Sequence, residues 1–87
     1  MYILKMSNEQ LYFGFTSDLK KRLQEHKMGK VFSTKKYAPT RLIYYECYLS
    51  RDDAKNRETM LKRYGSTYVH LKRRISSSIE RSQGRGV

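Results

Sequence analysis

Apolar residues in this chain are concentrated in three short runs and one spaced stripe, and that scarcity dictates how it can fold. The runs are Met1–Lys5 (MYILK), Leu11–Phe15 (LYFGF) and Leu42–Leu49 (LIYYECYL); the stripe is Tyr68, Leu71, Ile75 and Ile79. The first two runs are rich in β-formers and flank Ser7 and Asn8, whose side chains favour a turn, so they predict a β-hairpin. Leu42–Leu49 predicts a third strand, and its near-continuous apolar character suits the central position of a sheet. Spacings of three and four make the stripe one face of an amphipathic helix.

Two further helices lie between these segments. Ser17 is a good N-cap, Asp18 favours the positive helix end, and Gly29 can close the helix in the left-handed conformation, which places a first helix over Asp18–Met28. Gly29–Thr40 holds helix breakers, polar residues and the only proline, Pro39, and reads as loop. Ser50, followed three residues later by Asp53, resembles a capping box for a second helix that Gly65 closes. The order β-β-α-β-α-α predicts a small α+β domain, helices packed against a three-stranded sheet whose first pair is antiparallel. The last residues, SSSIERSQGRGV, lose apolar content, so the third helix is expected to fray after Ile79.

With 87 residues there is room for one domain. We place it over residues 1–75, with 76–87 as the end of the last helix and a flexible C-terminal tail. Cys47 is the sole cysteine, which excludes an internal disulfide and leaves too few ligands for a cysteine-based zinc site. No apolar run is long enough to span a membrane or to read as a signal peptide, so the chain is expected to be soluble and cytoplasmic.

Charge narrows the partner. Nineteen Lys and Arg against eight Asp and Glu give +11 and a pI near 10.0, more than a small acidic metabolite requires and suited to a phosphate polymer. Residues 20–41 hold eight basic groups and one acid, among them Lys20, Lys21, Lys30, Lys35, Lys36 and Arg41. Residues 62–74 hold five and no acid, among them Lys62, Arg63, Lys72 and Arg73. Phe32, Tyr37, Tyr64 and Tyr68 are interleaved with these cations and can stack on bases or sugars. If roughly six to ten of the cations meet phosphates, affinity falls about 10³- to 10⁵-fold between 50 and 200 mM salt.

Three polar residues fall on or beside apolar helix faces. Leu19 and Leu23 mark the inward face of the first helix; Arg22 follows Leu19 by three positions and His26 follows Arg22 by four. Read alone, Arg22 suits a snorkelling surface arginine and His26 a capping group at the helix end. On the second helix Ala54, Glu58 and Leu61 share a face, so Glu58, the one acid between Ala54 and Ile79, sits between two core positions. A bare carboxylate there costs several kcal/mol, so it must be paired, metal-bound or at a cleft. Arg57, Lys62 and an arginine of the first helix are the available partners.

The residues Tyr2, Tyr12-Phe13-Gly14, Thr16-Ser17-Asp18-Leu19 and Arg22-Leu23-Gln24-Glu25-His26 resemble the GIY-YIG nuclease domain, in particular the small stand-alone bacterial proteins of the excision-repair nuclease type. The resemblance spans residues 1–75 and implies a three-stranded antiparallel sheet flanked by helices. It matches Tyr12 to the tyrosine of the second triplet, Tyr2 to that of the first, Arg22 to the helix arginine and Glu58 to the metal-holding glutamate. His26 falls where a Tyr or His is common. The implied activity is phosphodiester hydrolysis with one divalent metal ion, Mg²⁺ or Mn²⁺, held by Glu58. Three positions depart from the pattern. Only Tyr2 of the first triplet is matched, Phe15 stands where the repair nucleases often carry a lysine, and no asparagine match follows the glutamate helix.

The residues and the resemblance together predict a metal-dependent endonuclease acting on DNA in preference to RNA, of low sequence specificity, with Tyr2, Tyr12, Arg22, His26 and Glu58 as its site. A separate protein partner would supply any specificity, since no attached binding domain is present in this sequence. The alternative is a nucleic-acid-binding protein that keeps the fold but cleaves weakly or not at all. A third reading, a basic module for protein or ribosome association, leaves the coincidence at Tyr12, Arg22 and Glu58 unexplained.

Overall fold

A computed structural model describes residues 1–81. Its elements are β1 (Tyr2–Lys5), β2 (Leu11–Gly14), α1 (Leu19–Lys27), α2 (Phe32–Lys35), β3 (Arg41–Tyr45), α3 (Arg51–Arg63), α4 (Gly65–Arg74) and α5 (Ser76–Arg81). The sheet is antiparallel throughout with the order β2-β1-β3. This is the expected α+β fold, with one correction to the sheet: the central strand is β1, and the apolar third run forms an edge.

Strand alternation explains the exchange. Along β1, Ile3 points to the face covered by Leu61, Leu71 and Ile75, while Tyr2 points to the opposite face, where it meets His26 of α1. All four residues of β1 are buried. On β3, by contrast, Leu42 is 39% and Tyr45 57% exposed. Tyrosine is amphipathic, so the run of tyrosines that makes 42–49 look apolar tolerates a half-wet edge. The strand also ends at Tyr45, four residues early, because Glu46 and Tyr48 turn into a polar cluster on α3. A register shift at Ile3–Leu4 marks an irregularity in the β1–β3 ladder.

The helix caps are local and mostly follow the sequence. Asp18, rather than Ser17, caps α1 by accepting from the Lys21 amide. At the other end Gly29 adopts φ +73, and the amides of Gly29 and Lys30 donate to the His26 and Glu25 carbonyls, a Schellman closure. Ser50 accepts from the Asp53 amide as the capping box requires. Gly65 does not cap α3; Tyr64 ends that helix and Gly65 begins α4. The segment expected to be loop contains α2, a single turn anchored by buried Val31 and Thr34. The stripe Tyr68-Leu71-Ile75-Ile79 does face the core, but the helix breaks at Ile75 into α4 and α5. α5 continues to Arg81, past the expected fraying at Ile79; the remainder of the expected tail, residues 82–87, lies outside the described residues.

Lys5 is buried on the Ile3 face and donates through Nζ to the Ile79 carbonyl, 3.1 Å away, tying α5 to the sheet. Among the described residues no helix is long and apolar enough to cross a membrane.

Leu71 is 1% exposed at the centre of the Ile3-side core. We expect Leu71→Ala to lower unfolding free energy by about 2–5 kcal/mol, and Val69→Ala, on the exposed side of the same helix, by much less; urea denaturation checks both.

Candidate active site

On the sheet face opposite Ile3, β1, β2, α1 and α2 bring four of the five predicted site residues together. The Tyr2 hydroxyl lies 2.7 Å from His26 Nε2, and His26 Nδ1 lies 2.7 Å from Thr34 Oγ1. The rings of Tyr12 and His26 meet edge to face with centroids 5.3 Å apart, and Tyr2 and Tyr12 are tilted at 6.4 Å. Arg22, one helical turn before His26, stands beside Tyr2 and pairs with Glu25 at 3.1 Å.

The chain Tyr2–His26–Thr34 is buried, with the three residues only 1%, 3% and 1% exposed. His26 therefore neither caps the helix nor lies on the surface, and it is the one buried residue of α1. Burial pushes the Tyr2 phenol above its ordinary value, against the opposing pull of Arg22. Burial also pushes His26 down, and the Arg22 charge adds to that, while Glu25 opposes it. The Arg22 guanidinium is held charged by Tyr2 and then by Glu25. Both effects at the core of the cluster favour neutral groups: a protonated phenol and a neutral imidazole. A neutral imidazole carries one N–H, so the Tyr2 O–H is the natural donor to Nε2, and Nδ1–H then donates to Thr34 Oγ1. Thr34 is the member of this chain that sequence reasoning missed. It lies in the segment read as loop, and no periodicity marks it.

The glycine of the triplet Tyr12-Phe13-Gly14 has a direct steric reason. Gly14 lies opposite Tyr2 in the β1–β2 register, and a Cβ there would fall inside the van der Waals envelope of Tyr2 Cζ, Cε1 and the hydroxyl oxygen. Only a bare backbone lets the Tyr2 ring lie across β2 towards His26.

Glu58 stands apart from this cluster. It is half-buried on α3, its Oε2 accepts from Lys62 Nζ at 3.0 Å, and the same ammonium lies over the Phe15 ring, 5.0 Å from the centroid. Lys62 is thus the partner of Glu58; Arg57, the other candidate on α3, instead binds Glu46 with Nε and Nη2. Glu46 also accepts from the Tyr44 and Tyr48 hydroxyls. Burial works against the Glu46 charge, but Arg57 and the Tyr48 hydroxyl outweigh it and hold the carboxyl below its ordinary value. Burial and that same carboxylate push Tyr48 up to about 12.

Glu58 borders an open cleft of about 660 Å³ whose lining does not include Tyr2, Tyr12, Arg22 or His26. Phe15, Thr16, Ser17 and Leu19 of its lining nevertheless belong to the connection from β2, which carries Tyr12, to α1, which carries Arg22 and His26. Among the described residues no group of three or more His, Cys, Asp or Glu could hold a metal unaided. A single accessible carboxylate still fits Mg²⁺, which keeps several waters and completes its shell with substrate phosphate. Of the ten predicted phosphate-contacting cations nine are exposed, while Lys72 is half-buried, its ammonium 4.5 Å from the Tyr68 ring centroid. Phe32 is 87% exposed, whereas Tyr68 is largely committed to an edge-to-face contact with Phe13.

Fold, triplet glycine and the tyrosine–histidine–arginine cluster together define a GIY-YIG domain. The family model for the GIY-YIG catalytic domain matches residues 1–66, and the chain belongs to that family, one of nucleases. A UPF0213 protein of Streptococcus pyogenes serotype M5 is 41% identical over 64 residues, covering 72% of this chain and 70% of its own length. A UPF0213 protein of the archaeon Haloquadratum walsbyi is 37% identical over 65 residues, covering 74% and 73%. No solved structure matches.

Two outcomes test the cluster. Gly14→Ala should destabilise the domain by about 1–3 kcal/mol in urea denaturation, and adding Tyr2→Phe should give no rescue because Cζ and Cε1 remain in the way. Because the folded state favours neutral His26, the unfolded chain takes up that proton first as pH falls. The stability from this site is therefore complete above about pH 6.5 and is lost as pH drops through the lower folded value. Thermal melting points should fall from about pH 7.5 to 5.5 in the wild type and fall less in His26→Gln. The Glu46 contribution is lost in a separate, more acidic window, below about pH 4.3.

Proposed function

We propose that this protein is a metal-dependent endonuclease that hydrolyses DNA phosphodiester bonds with low sequence specificity. The observation that carries the reading is the buried Tyr2–His26–Thr34 chain with Tyr12 and Arg22 set against it, on a chain of net charge +11.

The residues divide the work by exposure and charge. Arg22 is half-exposed and held cationic, which suits it to the charge that develops on the phosphoryl oxygens as water adds to phosphorus. Tyr12 is half-buried and lies against His26, so it is the tyrosine of the pair open to solvent and the better placed to handle the proton of the attacking water. Both ring nitrogens of His26 are engaged, so His26 acts through Tyr2 rather than on the water itself. Tyr2 keeps its proton and positions the cluster. Glu58, from the neighbouring cleft, would hold one Mg²⁺ or Mn²⁺ with water and substrate phosphate. The bound cation supplies Lewis acidity at the phosphoryl oxygen. The nine exposed cations of the predicted phosphate-contacting set bind the backbone without reading sequence. Within this reading the functional domain runs over residues 1–75, and a protein partner supplies specificity where the cell needs it.

One observation favours the alternative of a weakly cleaving nucleic-acid binder: Lys62 occupies the Glu58 carboxylate while Phe15 removes a cation from the Tyr12 strand. Conversion of supercoiled plasmid to nicked circle with Mg²⁺ or Mn²⁺ at low salt separates the two. We expect nicking by the wild type that EDTA abolishes and that falls at least about 100-fold in Glu58→Ala and Arg22→Ala, with plasmid binding retained by Glu58→Ala. Equal nicking by wild type and Glu58→Ala, or none by either, overturns the nuclease reading in favour of the binder.

A further inference from the structure

The cleft beside Glu58 carries chemistry that holding a cation does not use. Its volume, about 660 Å³, is that of a small-molecule site. Phe15 lines one wall, Tyr45 and Tyr48 line a second, and Arg51, Lys55 and Glu58 line the third. These last three are spaced four and three apart and so share one face of α3. Tyr45 is 57% exposed at a sheet edge, so its ring is accessible from the cleft it lines.

The charges of the cleft are unequal in a telling way. Its two carboxylates are already neutralised, Glu46 by Arg57 with the Tyr44 and Tyr48 hydroxyls, and Glu58 by Lys62. Arg51 and Lys55 are exposed, and neither forms an ion pair among the described residues. The cleft therefore offers aromatic rings, two uncommitted cations and no bare negative charge to repel an anion. A flat aromatic group bearing a phosphate meets all three conditions, and stacking on tyrosine or phenylalanine is tolerant of base identity.

We infer that this cleft is a nucleotide subsite: it seats one nucleotide of the bound strand, base against Tyr45 and Phe15, phosphate on Arg51 and Lys55. The inference builds on the nuclease reading only in making the neighbouring phosphodiester the one presented to Glu58. Binding in the subsite requires neither metal nor cleavage. Arg51 and Lys55 are in this respect positioning residues, setting where along the strand the scissile bond falls.

The test uses the full chain in EDTA, followed by amide chemical shifts during titration with thymidine 5′-monophosphate and, separately, with tetrathymidylate. We expect saturable shifts at Phe15, Tyr45, Arg51 and Lys55 with both probes, and tighter binding of the tetranucleotide at the same residues. Tyr45→Ala, at an exposed position, should weaken binding by at least about fivefold, the lower end of base–aromatic stacking, and Arg51→Ala, also exposed, should weaken it through loss of the phosphate contact. Lys27→Ala, a basic position outside the cleft, should leave mononucleotide binding unchanged. Shifts scattered over the basic surface, weakened as much by Lys27→Ala as by Arg51→Ala, overturn the subsite. So do the absence of saturable binding, or mononucleotide binding that the tetranucleotide does not share, which would make the cleft a small-molecule pocket. Failure of plasmid nicking with these shifts intact removes the nuclease reading and leaves the subsite standing.

Discussion

The ring of Tyr2 is the piece on which the rest of this small domain is set. It lies at the start of the central strand, crosses β2 at the one residue without a side chain, Gly14, and ends on His26 of α1. His26 in turn reaches Thr34, so a single line of hydrogen bonds between buried side chains joins β1, α1 and α2. A buried hydroxyl or imidazole left without a partner costs about 1–3 kcal/mol, which makes each member depend on the others being in place. The same line ties α2, which carries exposed Phe32 and Lys35, to α1 through Thr34.

The sheet has two faces with different duties. Ile3, Leu61, Leu71 and Ile75 supply the hydrophobic core on one side, while the other side is built from Tyr2, His26 and Thr34, residues that are buried yet polar. A chain with so few large apolar residues has a small stability margin. Placing this polar cluster in the second layer lets its hydrogen-bonded side chains help pack the fold. The Glu46–Arg57 pair, closed by two tyrosines, performs a similar role where β3 passes into α3.

Much of the candidate site is legible along the chain. Tyr12, Gly14, Arg22 and His26 fall in one compact stretch whose spacings survive intact in the fold, because β2 and α1 are consecutive and their geometry is local. Glu58 was legible as a carboxylate on an apolar face between Ala54 and Leu61, although its partner was open among several cations and only packing chose Lys62. Thr34 was not legible, since a threonine in a polar loop carries no signal until the loop folds back beneath α1. The central strand is misplaced for a physical reason: counting Tyr44, Tyr45 and Tyr48 as apolar overlooks that each has a hydroxyl end that can stay wet or bind Glu46.

Composition and local pattern alone determined a basic α+β fold suited to a polyanion, with helices capped at Ser50 and closed at Gly29, and with a tyrosine-glycine triplet leading into an arginine- and histidine-bearing helix. Those are properties of residues a few positions apart, where spacing translates directly into geometry. Strand order, the burial of His26, the hydrogen bond to Thr34, the choice of Lys62 for Glu58 and the cleft between Phe15, Tyr45 and Arg51 were decided only in three dimensions. Each of these joins residues from separate elements, and which partners meet depends on how the whole sheet is covered rather than on any short stretch of sequence.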